Sequence, residues 1–243
     1  MSATRRAAAA NRVQDVITID YFSDVLCVWA YAGQVRLEAL QRNFADDVLV
    51  RQRFMTLFGD TDTRIGKGWE KGGYTGFGEH LHEVCKQWEH THLHPDVWTH
   101  CRPRSCTSAH VFLRAVAVCL GLDDAGDDDP AARTVFDALV AQVRLAFFER
   151  AADIGDLAVL KGLLAPTGVS PAAVSAQIDN GAAYAALQRD AELMSSYGVQ
   201  GSPTFVFNEG RQLLYGNVGY RIIESNVREL LSAKPIEGAP SWC

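Results

Sequence analysis

Hydrophobic and polar positions alternate along Val16-Ile-Thr-Ile-Asp-Tyr-Phe22, and its β-branched and aromatic residues predict a strand. Ala30, Gly33, Leu37, Leu40 and Phe44 then recur at helical spacing and line one helix face. After a turn at Asp46-Asp47, Val48-Leu-Val-Arg-Gln-Arg-Phe54 predicts a second strand, so the first 55 or so residues read as a βαβ unit with a parallel pair. Between 59 and 78 glycines and aromatics replace any period, and a long loop is expected. Only helical patterns follow, over about 79–88, 107–120 and 131–150, with Pro130 suited to a first helical turn. Asp156 is a candidate N-cap, and Ser170-Pro171 reads as a Ser cap with Pro at N1 of a helix interrupted at Gly181. Strand character returns at Thr204-Phe-Val-Phe207, turns at Asn208-Glu-Gly-Arg211 and pairs back over 212–215, before an amphipathic helix at 221–233.

The order is βαβ, a helical block, then ββα. Neither half has enough strands to close a core alone, so the economical α/β architecture is one mixed sheet interrupted by a helical insertion. The expected division is a discontinuous core of residues 16–60 and 191–233, an insertion of 75–190, and irregular tails at 1–15 and 234–243.

Composition adds exclusions. Of 243 residues, 48% are hydrophobic and 21% charged, which fits a globular chain rather than a disordered one. No apolar run approaches the length of a membrane span, and a net charge of -6 argues against a nucleic-acid surface. Neither membrane nor nucleic acid is expected as a partner. Arg5-Arg6 precede only four alanines, too short for a signal's apolar stretch, so a frayed tail on a cytoplasmic protein is expected. Six cysteines in a chain of this length are expected to be mostly free thiols. Cys119, within Val116-Ala-Val-Cys-Leu120, is expected in the core.

The sharpest chemical feature is Ser23-Asp-Val-Leu-Cys27-Val-Trp29-Ala30-Tyr31, a cysteine where a strand gives way to a helix. A thiolate there faces free N–H groups and the positive end of the helix dipole, so its pKa is expected below the ~8.5 of a free thiol. The plainer alternative is a small cysteine packed under the loop. A second feature, Gly198-Val-Gln-Gly201-Ser202-Pro203-Thr204-Phe205, puts a proline at the start of a strand, where a cis peptide can sit. Alone it is a turn before an edge strand. Seven histidines crowd 80–110, with alternate imidazoles at His90, His92 and His94, but no Cys-x-x-Cys spacing accompanies them and no metal is expected. Trp69, Tyr74 and Phe77 could wall a pocket.

Taken together, the strand–Cys–helix, the Gly-x-x-Gly-x-Pro-Thr-Phe stretch and the helical insertion resemble the DsbA-like branch of the thioredoxin fold. Ser108-Ala-His110-Val-Phe-Leu113 and Asp153-Ile-Gly-Asp156 match as well, and the likeness spans 16–233. It looks closest to the cytoplasmic branch, with DsbA-like oxidoreductases, 2-hydroxychromene-2-carboxylate isomerases and kappa-class glutathione transferases. The resemblance implies that Cys27 is the nucleophile and Pro203 the cis-proline, with Ser202 offering its backbone to a thiol substrate. Trp29, Tyr31 and His110 are the further candidates for substrate or thiol binding.

One departure matters. The motif reads Cys27-Val-Trp-Ala30, so the resolving cysteine of a dithiol site is absent. Such a site can form and shuffle mixed disulfides but cannot run a dithiol cycle alone; Cys106 and Cys243 are the candidate resolving thiols. Three functions follow: thiol-disulfide exchange through a single cysteine, a glutathione-dependent isomerase or transferase of small aromatic compounds, or a redox-inactive binding module. No tightly bound cofactor is expected. Glutathione or another small thiol is the expected co-substrate, the expected partner is a small-molecule or protein thiol, and a homodimer stays open.

Overall fold

The computed structural model describes residues 16–122 and 129–232. β1 (Ile17–Ser23), α1 (Val28–Asn43) and β2 (Val48–Phe54) form the βαβ unit, with β1 and β2 parallel in the register Ile17↔Val48 to Ser23↔Phe54. The last strands, β3 (Thr204–Phe207) and β4 (Gln212–Tyr215), add antiparallel to β1, giving a four-stranded sheet in the order β2-β1-β3-β4. The chain leaves this sheet after β2 and returns to it only at β3. Between them lie α2 (Gly73–Cys85), α3 (Thr107–Cys119), α4 (Pro130–Phe148), the short α5 (Leu157–Lys161), α6 (Pro171–Asp179) and α7 (Ala182–Ser196). The final helix is α8 (Tyr220–Leu230).

Strand alternation sorts the core. Ile17, Ile19 and Tyr21 of β1 and Phe205 and Phe207 of β3 pack with Leu37 and Leu40 of α1 and Ile223 and Val227 of α8. Phe22 and Val206 point the other way, towards Leu193 and Met194 of α7. A larger cluster fills the helical block around Trp98, Phe112, Phe147 and Phe148 and reaches the start of α1 through Val25, Leu26 and Val28. Polar ties join the two halves. The buried Asp190 of α7 accepts from the Phe54 backbone N–H and from the Arg114 guanidinium of α3.

The capping signals act as expected from their residues. Asp129, Asp156 and Ser170 each accept from a first-turn N–H, the first and third with Pro at N1. Gly181, with φ 86°, separates α6 from α7. The glycine-rich stretch is not the long loop expected. A π-helical turn (Asp62–Lys67) and the first half of α2 occupy it. These glycines permit packing rather than disorder: a Cβ on Gly76 would lie 1.5 Å from the Lys71 carbonyl oxygen. Cys119 is half-buried rather than core. The N-terminal arginines, the acidic turn and Cys243 lie outside the described residues.

Candidate active site

Residues 23–27 close off β1 and aim it into α1. Asp24 fixes the turn, its buried carboxylate accepting from the Leu26 N–H at 2.8 Å and the Phe58 N–H at 2.8 Å. The Asp24 N–H in turn donates to Ser202 Oγ at 3.0 Å, which ties the turn to the loop before β3. Cys27 is thereby set as the N-cap of α1, with extended backbone (φ -82°, ψ 115°). Its thiol donates to the Ser202 carbonyl at 3.3 Å, and the Ser202–Pro203 peptide is cis.

The electrostatics correct one expectation. Cys27 is only 3% exposed, and burial pushes its pKa up rather than down. The Ser202 side chain and the N–H groups of Ala30 and Trp29 oppose this, while the Asp24 carboxylate adds to it. The helix N-terminus is present, but desolvation outweighs it. At rest the site therefore holds a protonated thiol.

A cavity of about 500 Å³ opens over this sulfur. Trp29 and Ser202 line it with Cys27, joined by Trp69, Phe77 and Tyr215. Arg64 and His80 are its charged or titratable residues besides Cys27 and Tyr215, and no carboxylate lines it. Trp29 is 40% exposed and meets Trp88 edge-on. Trp69 and Phe77 form part of the wall as expected, but Tyr74 instead bonds Thr61 and stacks on Trp98.

Two expected binding residues are elsewhere. Tyr31 is buried along α1, donating to Glu149 Oε1 at 2.8 Å and stacking on Phe148; it joins α1 to the insertion and is absent from the cavity wall. His110 is fully buried behind the Asp24 turn, with Nε2 accepting from the Val25 N–H at 3.3 Å and the ring stacked on Phe54. Pro203 adjoins the cavity through Ser202 without lining it.

Asp24, Cys106 and His110 bring three ligand-type atoms within 4.8 Å of one another, all buried. Their chemistry fits a hydrogen-bonded support better than a metal centre. The carboxylate is committed to two amides, and burial beside it drives the Cys106 thiol far up in pKa. That protonated state also removes Cys106 as a ready attacking thiol. Sequence reasoning missed Asp24, Arg64, Gln200 and Tyr215. Only Asp24 carried a signal, as an Asx residue two before an amide in a tight turn.

Residues 18–228 match the family of the DSBA-like thioredoxin domain. The chain belongs to that family. No curated protein matches the sequence. Among solved structures, this DSBA-like chain is similar to a Streptomyces coelicolor protein described as a probable DsbA oxidoreductase (TM-score 0.66, 18% identity, 93% of this chain and 94% of that one). It is similar to the cytosolic disulfide reductase DsbM of Pseudomonas aeruginosa (0.61, 19%, 87% and 98%), which has also been solved with GSH (0.60, 21%, 87% and 99%). It is also similar to a 2-hydroxychromene-2-carboxylate isomerase (0.56, 16%, 88% and 95%). At these identities the likeness is one of fold. No helix among the described residues is long and apolar enough to cross a membrane.

Proposed function

We propose that this DSBA-like protein is a thiol-disulfide oxidoreductase that works through Cys27 alone, in the cytoplasm, with a small thiol such as glutathione as co-substrate. The observation that carries this reading is the placement of Cys27. It caps α1 under an open cavity, bonded to the carbonyl before the cis-proline, with Ala30 one turn on where a second sulfur would sit.

The chemistry balances with one cysteine. The Cys27 thiolate attacks a disulfide, forming one S–S bond and releasing one thiolate. A second small thiol then attacks the mixed disulfide and restores Cys27. The Ser202 carbonyl, which holds the resting S–H, is freed when the proton leaves, and the amides of Trp29 and Ala30 face the sulfur that remains. The cytosolic DsbM and its GSH-bound form support the choice of compartment and co-substrate.

A second reading, a thiol-dependent isomerase or transferase acting on a small aromatic compound, is favoured by one observation. The wall of Trp29, Phe58, Trp69 and Phe77 carries Arg64 and no acid, which suits a flat anionic ligand.

The test is Ala30→Cys. Two Cys residues one helical turn apart are within disulfide reach. With oxidised glutathione the parent is expected to keep a single glutathionyl adduct on Cys27. The variant should instead lose two hydrogens and gain dithiol oxidase or reductase activity. If neither chain is modified at residue 27, the thiol is not available for chemistry and the oxidoreductase reading fails.

A further inference from the structure

Among the described residues, the buried guanidinium groups are paired with acids except at one position. Arg53 sits 2.6 Å from Asp20, and Arg114 pairs with Asp190. Arg144 of α4 is 1% exposed and makes no ion pair among the described residues. Its Nη2 donates to Ser23 Oγ at 2.7 Å, its Nη1 donates to Gln34 Oε1, and its Nε is buried without a partner. An unpaired buried charge is costly, and packing alone would be served by an apolar side chain of similar length.

The location of this charge gives it a use. Ser23 ends β1 four residues before Cys27, and Gln34 lies two turns along α1 from it. The guanidinium thus bridges the end of β1 and α1, and it is not among the residues that line the cavity over the thiol. We propose that Arg144 is a positioning residue of the thiol site, a permanent cation supplied by the helical insertion that stabilises the Cys27 thiolate as it forms. This rests on Cys27 being the reacting group.

The other groups around the sulfur leave this role open. Tyr21 on β1 is held neutral by burial, its pKa pushed up to about 12. His110 on α3 is neutral, pushed down to about 4, and the Cys106 thiol before α3 is protonated. Asp24 and Asp137 are carboxylates bonded to amides and to Gln41 and Gln52 respectively, and Asp24 opposes ionisation of Cys27. Arg36 on α1 is turned to Asn217, and Arg64 and His80 lie across the cavity. Ser202 and the amides of Trp29 and Ala30 act directly on the sulfur. The groups that act on Arg144 through charge are Tyr21 first and then Cys27, Asp137 and Asp24. Its positive charge adds to those direct donors.

The test is the pH profile of Cys27 alkylation, followed by peptide mapping. Arg144→Gln should slow alkylation at pH 8 by roughly 3- to 10-fold, the effect of losing one nearby positive charge, and move the profile to higher pH. Arg144→Lys should restore most of the rate. Gln34→Glu covers the case in which Arg144→Gln does not fold. It gives the guanidinium the carboxylate it lacks, keeps the side-chain size, and should slow alkylation several-fold while folding is retained. A folded Arg144→Gln or Gln34→Glu chain that alkylates with the parent's profile overturns the assignment. A parent whose Cys27 does not alkylate at any pH instead overturns the reading of the site.

Discussion

Acid should loosen the protein through His110. The ring is fully buried, Nε2 accepts from the Val25 N–H, and so the single proton resides on Nδ1, which has no partner. Burial pushes the pKa down from 6.5 to about 4; Asp24 works against this and the nearby Arg144 and Arg114 reinforce it. A depressed histidine favours the fold in its neutral form. Its contribution is fully present above the unfolded value of 6.5 and is lost as pH falls towards 4. Over the whole window that amounts to about 3 kcal/mol, of which about 2 kcal/mol is gone by pH 5. Domain stabilities of about 5–15 kcal/mol make this a large fraction. Asp137 and Asp190, whose carboxyls burial pushes up, change stability in the opposite sense as pH falls, so one protein's total is not diagnostic. The decisive comparison is with His110→Gln, whose amide oxygen can still accept from Val25. Urea denaturation of both at pH 7 and pH 5 should show the parent losing about 2 kcal/mol more than the variant. Equal losses would refute the argument.

Because burial raises the Cys27 pKa, its iodoacetamide labelling should climb roughly tenfold per unit from pH 7 to pH 9; a plateau already reached below pH 8 would mean that the helix N-terminus prevails over desolvation. A Cβ on Gly201 would lie 2.6 Å from the Tyr215 ring, so Gly201→Ala should displace that exposed ring from the cavity rim at a cost of about 1 kcal/mol or less. It should alter the Michaelis constant for a small disulfide far more than the melting temperature, and a change in melting temperature alone would count against Tyr215 as part of the wall. Gly76→Ala, with its Cβ 1.5 Å from a carbonyl oxygen, should cost several kcal/mol, on the order of the largest single-residue effects, and blunt the near-ultraviolet dichroism of Trp69.

Local rules determined much of this protein from sequence. Period-two and period-3.6 patterns locate β1, α1, β2 and the closing ββα, because each element must bury one face. Caps at Asp129, Asp156 and Ser170 are local hydrogen bonds between near neighbours, so their residue types suffice. Cys27 at a strand-to-helix junction and Pro203 at a strand start were legible for the same reason. What the tertiary structure decided depends on partners far apart in sequence. Glycines at 66–76 read as loop because their propensity is poor for helix, yet close backbone approach makes them necessary there. Tyr31 and His110 stand near Cys27 in sequence or motif, but Glu149, Phe148, Phe54 and Val25 claim them. The sign of the Cys27 shift belongs to this class. A helix N-terminus is a local property that lowers a thiol's pKa, whereas desolvation is set by everything packed around it, and only the assembled fold shows that burial is the larger effect.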